Sequence, residues 1–186
     1  MRIIAGEMRS RRLKAPEGND TRPTADRVKE ALFSILAGKV YGARVLDLYA
    51  GSGALGLEAL SRGAESAVLC DCARDACRVI RENIAGLGCE GRARLLPLRD
   101  TAALETLKKS GTQFDLIFLD PPYRMDTAPV CAAIAQGELL AEGGVIVAEH
   151  GRLTPPDVAP PLRLFDRREY GVTGLSFYRL AGEDEE

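Results

Sequence analysis

Short apolar runs alternate along the chain with longer stretches in which apolar residues recur at helical spacing. The apolar runs predict buried strands near residues 44–48, 67–70, 93–97 and 115–119. The stretches between them predict helices near 54–62, 73–86 and 101–109. This alternation is typical of α/β proteins, in which crossover helices connect the strands of a parallel sheet.

The regions on either side of this core also have interpretable patterns. We expect the N-terminal arm to form an extended hairpin, followed by a helix with Thr24 as its N-cap. That helix carries an apolar stripe formed by Val28, Ala31, Leu32, Ile35 and Leu36. Beyond the core, the pattern predicts a helix near 126–136 and strands near 145–149, 162–170 and 175–180, with a hairpin turn at 171–174.

The tetrad Asp120, Pro121, Pro122 and Tyr123 directly follows the apolar run 114–119. The prolines lack a backbone donor and have a fixed φ, so the turn is stiff. The Asp120 carboxylate and a neighbouring carbonyl would accept both N–H bonds of an exocyclic amine, and Tyr123 would stack on the ring that carries it. The alternative is an ordinary turn between a strand and a loop. The tetrad therefore indicates a site for a planar amine, subject to that alternative.

A second candidate site is the glycine-rich segment 45–56, where an apolar run leads into a turn and then a helix. Gly51 and Gly53 would permit positive φ, and Gly56 would let the helix pack closely on a strand. Asp71 ends the next apolar run, where its carboxylate would bind the hydroxyls of a ribose. The same spacing fits a dinucleotide fold, so the glycines do not distinguish NAD from S-adenosylmethionine (SAM).

Other acidic residues favour SAM. Asp47 lies inside the first strand, where a carboxylate suits the ammonium group of SAM better than a pyrophosphate. Asp100 follows the third apolar run and is placed for an adenine amino group, although it would equally cap a helix. With Asp71 and Asp120, these residues follow four successive strands, whose carboxyl ends should line one crevice. The predicted cofactor-binding set is Asp47, Tyr49, Gly51, Ser52, Gly53, Asp71 and Asp100.

Taken together, the motifs resemble the RsmD-type 16S ribosomal RNA guanine-N2 methyltransferases, which use SAM. The resemblance spans nearly the whole chain. It rests on residues 3–6 with 9–13, the segment 22–30, the glycine loop with Asp47, the 120–123 tetrad and the ending 169–175. One departure is Asp71, flanked by Cys70 and Cys72, where the family usually has glutamate.

The resemblance implies a Rossmann-like class I SAM-dependent methyltransferase fold, with a seven-stranded, mostly parallel sheet. It also supplies the strand order 3-2-1-4-5-7-6, with the seventh strand antiparallel. The implied reaction is methyl transfer to the N2 amine of a guanine in 16S rRNA, with the 120–123 tetrad as catalytic residues. The partner would be the small ribosomal subunit or an assembly intermediate.

Charge is unevenly distributed in this chain of 186 residues, whose net charge is −2. The first fourteen residues contain five cations and one acidic residue, so a local basic arm would neutralise RNA phosphates. The alternative interpretation of the arm is a solvated surface hairpin. The alternative for Arg27 is an ion pair with Glu30, three residues along the same helix. The predicted RNA-binding residues are Arg9, Arg11, Arg12, Arg22, Thr24 and Arg27. The predicted units are an RNA arm at 1–22, a methyltransferase domain at 23–181 and a disordered acidic tail at 182–186.

Composition excludes several other classes. Five cysteines without a CxxC pair fit neither a disulfide framework nor a zinc site, so we expect free thiols and no metal. His150 is the single histidine, which argues against Ser-His-Asp chemistry. No apolar stretch is long enough for a membrane span, so we expect a cytoplasmic protein. A DNA or protein amino methyltransferase, an NAD oxidoreductase and a non-catalytic ribosome-assembly factor remain as alternatives.

Overall fold

A computed structural model describes residues 1–17, 23–122 and 125–182, and side chains from residue 26 onward in the first helix. Its helices are α1 (Pro23–Ile35), α2 (Ala54–Ser61), α3 (Arg74–Leu87), α4 (Asp100–Lys109) and α5 (Ala128–Gln136). Its strands are β1 (Arg44–Asp47), β2 (Ser66–Cys70), β3 (Ala93–Leu96), β4 (Phe114–Leu119), β5 (Leu140–Gly151), β6 (Leu162–Tyr170) and β7 (Thr173–Leu180). The alternation of strands and helices predicted for the core is confirmed.

The strands form one sheet in the order β3-β2-β1-β4-β5-β7-β6. Strands β1 to β5 are parallel to one another, whereas β7 is antiparallel to both of its neighbours, β5 and β6. This is the order and direction that the family resemblance implied. From β1 the chain adds β2 and β3 on one side of the sheet, and it then crosses to add β4 and β5 on the other side. This reversal of strand order lies between β1 and β4, so a crevice opens at their carboxyl ends.

Successive residues of the buried strands pack against opposite layers of helices, as the two-residue repeat of a strand requires. Val45, Leu116 and Phe118 belong to a core shared with α1, α2 and α3. Leu46 and Ile117 face the other side and pack with apolar residues of α4 and α5. Both faces of the sheet are therefore covered, which explains why the strands are continuous apolar runs.

Three predicted boundaries are wrong. The hairpin turn predicted at 171–174 covers only residues 171–172, because β7 begins at Thr173. Helix α1 begins at Pro23, so Thr24 lies inside its first turn rather than before it. Proline is favoured at this first position because its missing N–H has no partner inside the helix. Strand β5 begins at Leu140 instead of near 145. Phe114 pairs with Leu140 and Leu116 with Val145, so the intervening residues form an irregularity that Gly143 accommodates with a φ of 70°.

The N-terminal arm is a hairpin, as expected, and it packs on the helices next to the glycine loop. Arg2 and Arg12 form an antiparallel bridge, and the Ile3 N–H donates to the Arg11 carbonyl at 2.9 Å. The apolar side chains of Ile3, Met8 and Leu13 are buried in the same core as α1, α2 and α3. The arm is thus part of the packed core and is not a separate lobe.

Glu58 in α2 holds one side of the arm. Its carboxylate has no exposed surface and accepts the N–H groups of Ile4 and Ala5 at 2.8 and 3.0 Å. It also contacts Lys29 of α1 at 3.3 Å and Arg62 at 2.8 Å. A buried carboxylate is tolerated only when its oxygens are paired in this way.

Asn83 in α3 holds the other side of the arm. Its side chain accepts the Lys14 N–H at 2.8 Å and donates to the Lys14 carbonyl at 3.0 Å. The same amide nitrogen donates to the carbonyl of Ser52, in the glycine loop, at 2.9 Å. One buried amide therefore binds both the arm and the loop.

Candidate active site

The glycine-rich segment forms the turn between β1 and α2. Gly51 and Gly53 have φ values of 57° and 81°, a region that other residues rarely adopt, so the prediction of positive φ is confirmed. A Cβ on Gly56 would lie 2.2 Å from Leu69 Cδ2, which confirms that this glycine permits close packing of α2 on β2. The backbone of the loop therefore lies directly over the carboxyl end of the sheet.

Asp47 ends β1 beneath this loop, with only 1% of its surface exposed. Its Oδ2 accepts the Gly56 N–H at 3.0 Å, whereas its Oδ1 is buried and has no hydrogen-bond partner among the described residues. Burial, with smaller contributions from Asp120 and Asp71, raises the pKa of Asp47 to about 7. An unpartnered buried acceptor is costly, and a cationic donor from a ligand would relieve it.

Asp71 and Asp120 flank Asp47 on the neighbouring strands. Asp47 pairs with Leu69 of β2 and with Phe118 of β4, so both flanking carboxylates lie two residues beyond its level. The three residues thus end adjacent strands of the sheet, and the charges of Asp120 and Asp71 both raise the pKa of Asp47. The predicted convergence at the strand ends is therefore seen for these three residues.

Asp71 is already tied to the glycine loop. Its Oδ2 accepts the Gly51 N–H at 2.9 Å, and its Oδ1 accepts the Ala73 N–H at 2.8 Å. Each carboxylate oxygen has a second acceptor position, so hydrogen bonds to ribose hydroxyls remain possible. The ribose role of Asp71 stays a prediction.

Asp100 lies at the first residue of α4, and Tyr49 connects it to β1. The Tyr49 hydroxyl donates to Asp100 Oδ2 at 2.8 Å, and the Thr101 N–H donates to Oδ1 at 2.8 Å. Burial and the neighbouring carboxylate raise the pKa of Tyr49, so its hydroxyl keeps its proton. Asp100 thus supports the helix start and also lines a cavity of about 460 Å³ between α4 and α5. Its proposed contact with adenine is not tested by these bonds.

Asp120 follows the end of β4, the strand next to β1. The residue is exposed, yet enough protein surrounds its carboxyl group that loss of hydration raises its pKa to about 6. Pro121 is buried, and the Pro122 carbonyl accepts the Met125 N–H at 2.9 Å. The carbonyls of Asp120 and Pro121 are therefore the better candidates for the second acceptor. Tyr123 lies outside the described residues, and so does its predicted stacking role.

Comparison with known proteins identifies the chain. A protein-family model described as conserved hypothetical protein 95 matches residues 1–179. The "Putative rRNA methyltransferase YlbH" of Bacillus subtilis is 39% identical over 98% of this chain and 100% of its own length. The "Ribosomal RNA small subunit methyltransferase D" of Haemophilus influenzae is 32% identical over 97% of this chain and 92% of its own length. The chain belongs to the RsmD family of methyltransferases.

A solved structure supports the same assignment. The "Putative methyltransferase yhhF" of Escherichia coli superposes with a TM-score of 0.84 and 34% identity, covering 98% of this chain and 99% of that one. The RsmD-type methyltransferase resemblance inferred from the motifs is confirmed. The Rossmann-like methyltransferase fold is confirmed as well.

The predicted RNA-binding residues of this RsmD-family chain differ in their surroundings. Arg9, Arg11 and Arg12 are all exposed on the arm, but Arg11 donates to the Gly86 carbonyl and so helps attach the arm to α3. Arg27 is exposed on α1 and forms no ion pair with Glu30, contrary to the surface-pair alternative. Arg22 and the side chain of Thr24 lie outside the described residues. RNA binding by this set remains a prediction.

Sequence patterns missed three buried polar residues that shape the site: Lys29, Glu58 and Asn83. Two signals were available. Glu58 is the only charged residue in the otherwise apolar helix 54–61, and Asn83 occupies a position of the buried stripe of α3. Lys29 gives no comparable signal, because an isolated lysine next to an apolar stripe usually lies at the surface.

The remaining candidate chemistry has structural explanations. His150 is buried, and its ring nitrogens contact the Gly151 carbonyl at 2.7 Å and the Ser176 hydroxyl at 2.8 Å. All five cysteines are free thiols, and only Cys72 is exposed. Across the described ranges, no group of three or more His, Cys, Asp or Glu is arranged to hold a metal ion. Among those same residues, no helix combines the length and apolarity needed to span a bilayer.

Proposed function

We propose that this protein transfers a methyl group from SAM to the exocyclic N2 of a guanine in 16S rRNA, within the small ribosomal subunit or an assembly intermediate. The observation that carries the proposal is Asp120, held in a proline-stiffened turn beside Asp47 at the strand-end crevice. The names of the relatives from B. subtilis and H. influenzae support rRNA as the substrate class.

The residues of the crevice fit SAM. When bound, SAM supplies a methyl carbon carried on a positively charged sulfur. The unpartnered Oδ1 of Asp47 would accept a hydrogen bond from its ammonium group, and the glycine loop would lie along its methionine part. Asp71 would hold the ribose hydroxyls, and Asp100, oriented by Tyr49, would accept the adenine amino group.

Asp120 would position the attacking amine. Its carboxylate and the carbonyl of Asp120 or Pro121 would accept hydrogen bonds from the two N–H groups of the amine. The lone pair of the nitrogen would then point away from these acceptors, toward the methyl carbon. The same acceptors stabilise the positive charge that develops on the amine as the nitrogen–carbon bond forms. The bond between the methyl carbon and sulfur breaks at the same time, and its electron pair stays on the sulfur, so that neutral S-adenosylhomocysteine would leave. The methylated nitrogen then releases one proton to water. No histidine base is needed, consistent with the bonds that commit His150 to Gly151 and Ser176.

The decisive experiment measures transfer of a labelled methyl group from SAM to unmodified small subunits, naked 16S rRNA, duplex DNA and total protein in parallel. We expect label on guanine N2 of the RNA. The Asp120→Ala variant should lose at least about 10²-fold in kcat, a typical cost of removing one preorganised group of this kind, while SAM binding by calorimetry changes little. Asp157→Ala, which removes an exposed carboxylate, serves as the matched control.

Each other outcome contradicts part of the proposal. Label only on DNA or protein would keep the amine chemistry and reject the RNA substrate. SAM binding without any transfer would favour a non-catalytic assembly factor. Loss of SAM affinity in Asp120→Ala would place the tetrad in the cofactor site instead.

A further inference from the structure

A second cavity, of about 410 Å³, lies between the N-terminal arm and α1. We call it the arm pocket. None of the four strand-end carboxylates lines it. Among the described residues, its charged and polar lining is formed by Arg2, Arg9 and Ser10 from the arm and Asp26, Arg27 and Glu30 from α1. Its size falls in the range of pockets that hold small ligands.

Several charged side chains of the arm pocket do not take part in the hydrogen bonds and ion pairs that stabilise other described parts of the fold. Among the residues that the structure describes, the guanidinium groups of Arg2, Arg9 and Arg27 and the carboxylate of Glu30 form no hydrogen bond or ion pair. By contrast, Arg78 on α3 pairs with both of its acidic neighbours at helical spacing. Residues of opposite charge therefore line the arm pocket without a direct ion pair between these described groups.

One wall of the arm pocket is fixed in place. Lys29, which lies between Arg27 and Glu30 on α1, donates to the Arg2 carbonyl at 2.7 Å. The Ile4 N–H is bound at 2.8 Å by the buried Glu58. These bonds hold the backbone of the arm against α1 and α2, so little ordering of this wall would be required on binding.

The mixed charge restricts the ligand. It must present an anionic group to the arginines and N–H donors to the carboxylate, as a nucleotide does with its phosphate and its base. Guanine offers two adjacent donors, N1–H and the N2 amine, that match the two oxygens of one carboxylate. Adenine and cytosine offer a donor beside an acceptor, and uracil offers one donor between two acceptors.

We propose that the arm pocket binds a guanine nucleotide of the substrate RNA other than the one that receives the methyl group. Glu30 accepts the hydrogen bonds of its Watson–Crick edge, and Arg9 and Arg27 contact its phosphate. Asp26 lies in the first turn of α1, where a carboxylate stabilises the helix terminus, so the reading role is assigned to Glu30. The inference rests on the proposed function, because it requires RNA as the substrate.

Whether Glu30→Gln strengthens or weakens RNA binding distinguishes this role from that of an ordinary surface charge. If Glu30 only adds negative charge near an RNA surface, Glu30→Gln removes repulsion and strengthens RNA binding. If Glu30 accepts guanine N–H bonds, the same change weakens binding. We expect the KM for unmodified small subunits to rise about tenfold, equivalent to about 1.4 kcal/mol, with kcat and SAM affinity unchanged.

Glu142→Gln is the matched control, because Glu142 is an exposed carboxylate near the amino end of β5 and does not line the arm pocket. Glu30 is exposed as well, so its replacement should leave the melting temperature unchanged. A KM for Glu30→Gln that equals or falls below the wild-type value overturns the proposal.

Binding of mononucleotides tests the pocket without relying on catalysis. The probes are guanosine 5′-monophosphate and inosine 5′-monophosphate, which lacks the 2-amino group, titrated into the Asp120→Ala protein to remove the target site. We expect guanosine monophosphate to bind more tightly, and the difference to disappear in Asp120→Ala/Glu30→Gln. Equal binding of the two probes would reject guanine recognition. Wild-type protein that labels no RNA would instead refute the proposed function, a result distinguishable from either outcome here.

Discussion

Replacing Asp47 by asparagine tests whether the crevice holds this carboxylate at a cost in stability. Burial is the main cause that raises its pKa to about 7, from an ordinary value of 3.8. At 1.36 kcal/mol per pH unit, the difference corresponds to about 4 kcal/mol of destabilisation once the group is ionised in both the folded and the unfolded chain. Because Asp47 is almost fully buried, solvent screening reduces this value little.

The direction of the pH dependence follows from the raised pKa. The folded chain binds the proton more tightly than the unfolded chain, so the cost is absent below about pH 3.8, grows as the pH rises, and is complete above about pH 7. Asparagine does not titrate, but one of its amide donors would be left unpaired, at a cost of about 1–3 kcal/mol at every pH. We expect Asp47→Asn to be less stable than wild type near pH 4 and about 1–3 kcal/mol more stable near pH 8.

The assay is urea unfolding of both proteins, without ligand, at several pH values between about 4 and 8. Asp157→Asn, at an exposed position, is the control and should show no such trend. Calorimetry on the same proteins in the absence of urea should show that Asp47→Asn binds SAM at least tenfold more weakly than wild type, because the acceptor for the ammonium group is altered. A stability difference that stays constant across the pH range would refute the reasoning, since no buried titration would then be present.

Three further changes have defined outcomes. Methyl transfer should fall as the pH drops below about 6, because protonation of Asp120 replaces an acceptor of the amine by a donor; a kcat that is flat down to about pH 5 would contradict this. Gly56→Ala should lower the free energy of unfolding by about 1–3 kcal/mol, because its Cβ would collide with the buried Leu69. Gly86→Ala, in open space on α3, should raise the free energy of unfolding by about 0.5–1 kcal/mol. Equal effects of the two changes in urea unfolding would contradict the packing argument. Glu58→Gln should destabilise by about 3–5 kcal/mol, because Lys29 loses its buried counter-charge, and adding Lys29→Met should recover part of that loss; no recovery in thermal unfolding would show that the ion pair is not the cause.

Much of the crevice was predictable because its residues follow marked strand ends. An apolar run followed by an aspartate locates Asp71 and Asp120, and the glycines after Asp47 locate the loop. The order of the strands was not contained in these patterns, because periodicity shows which residues share a face but not which strands are neighbours. The family resemblance supplied that order. The start of β5 was missed because Gly143 and Gly144 are also typical of a turn.

The polar network that holds the arm was not predictable from local patterns. The contacts of Glu58 with Ile4 and of Asn83 with Lys14 join residues separated by 54 and 69 positions. Spacing along a helix offered an Arg27–Glu30 pair as the alternative to RNA contact, and that pair is not formed in the structure, where both residues line the arm pocket. Spacing along a helix considers only the two side chains of a pair, so it does not account for a ligand that both side chains could contact in a cavity.

The cluster of Asp47, Asp71 and Asp120 also determines what the crevice excludes. Carboxylates at the carboxyl ends of adjacent strands repel a phosphodiester, whereas a nucleobase carries no net charge and meets no such barrier. A nucleic-acid chain would therefore keep its backbone outside, where Arg9 and Arg12 are exposed, and send a single unstacked base inward. If RNA is the substrate, the acidic crevice would admit an uncharged base and repel the phosphate backbone, which the cationic arm would attract.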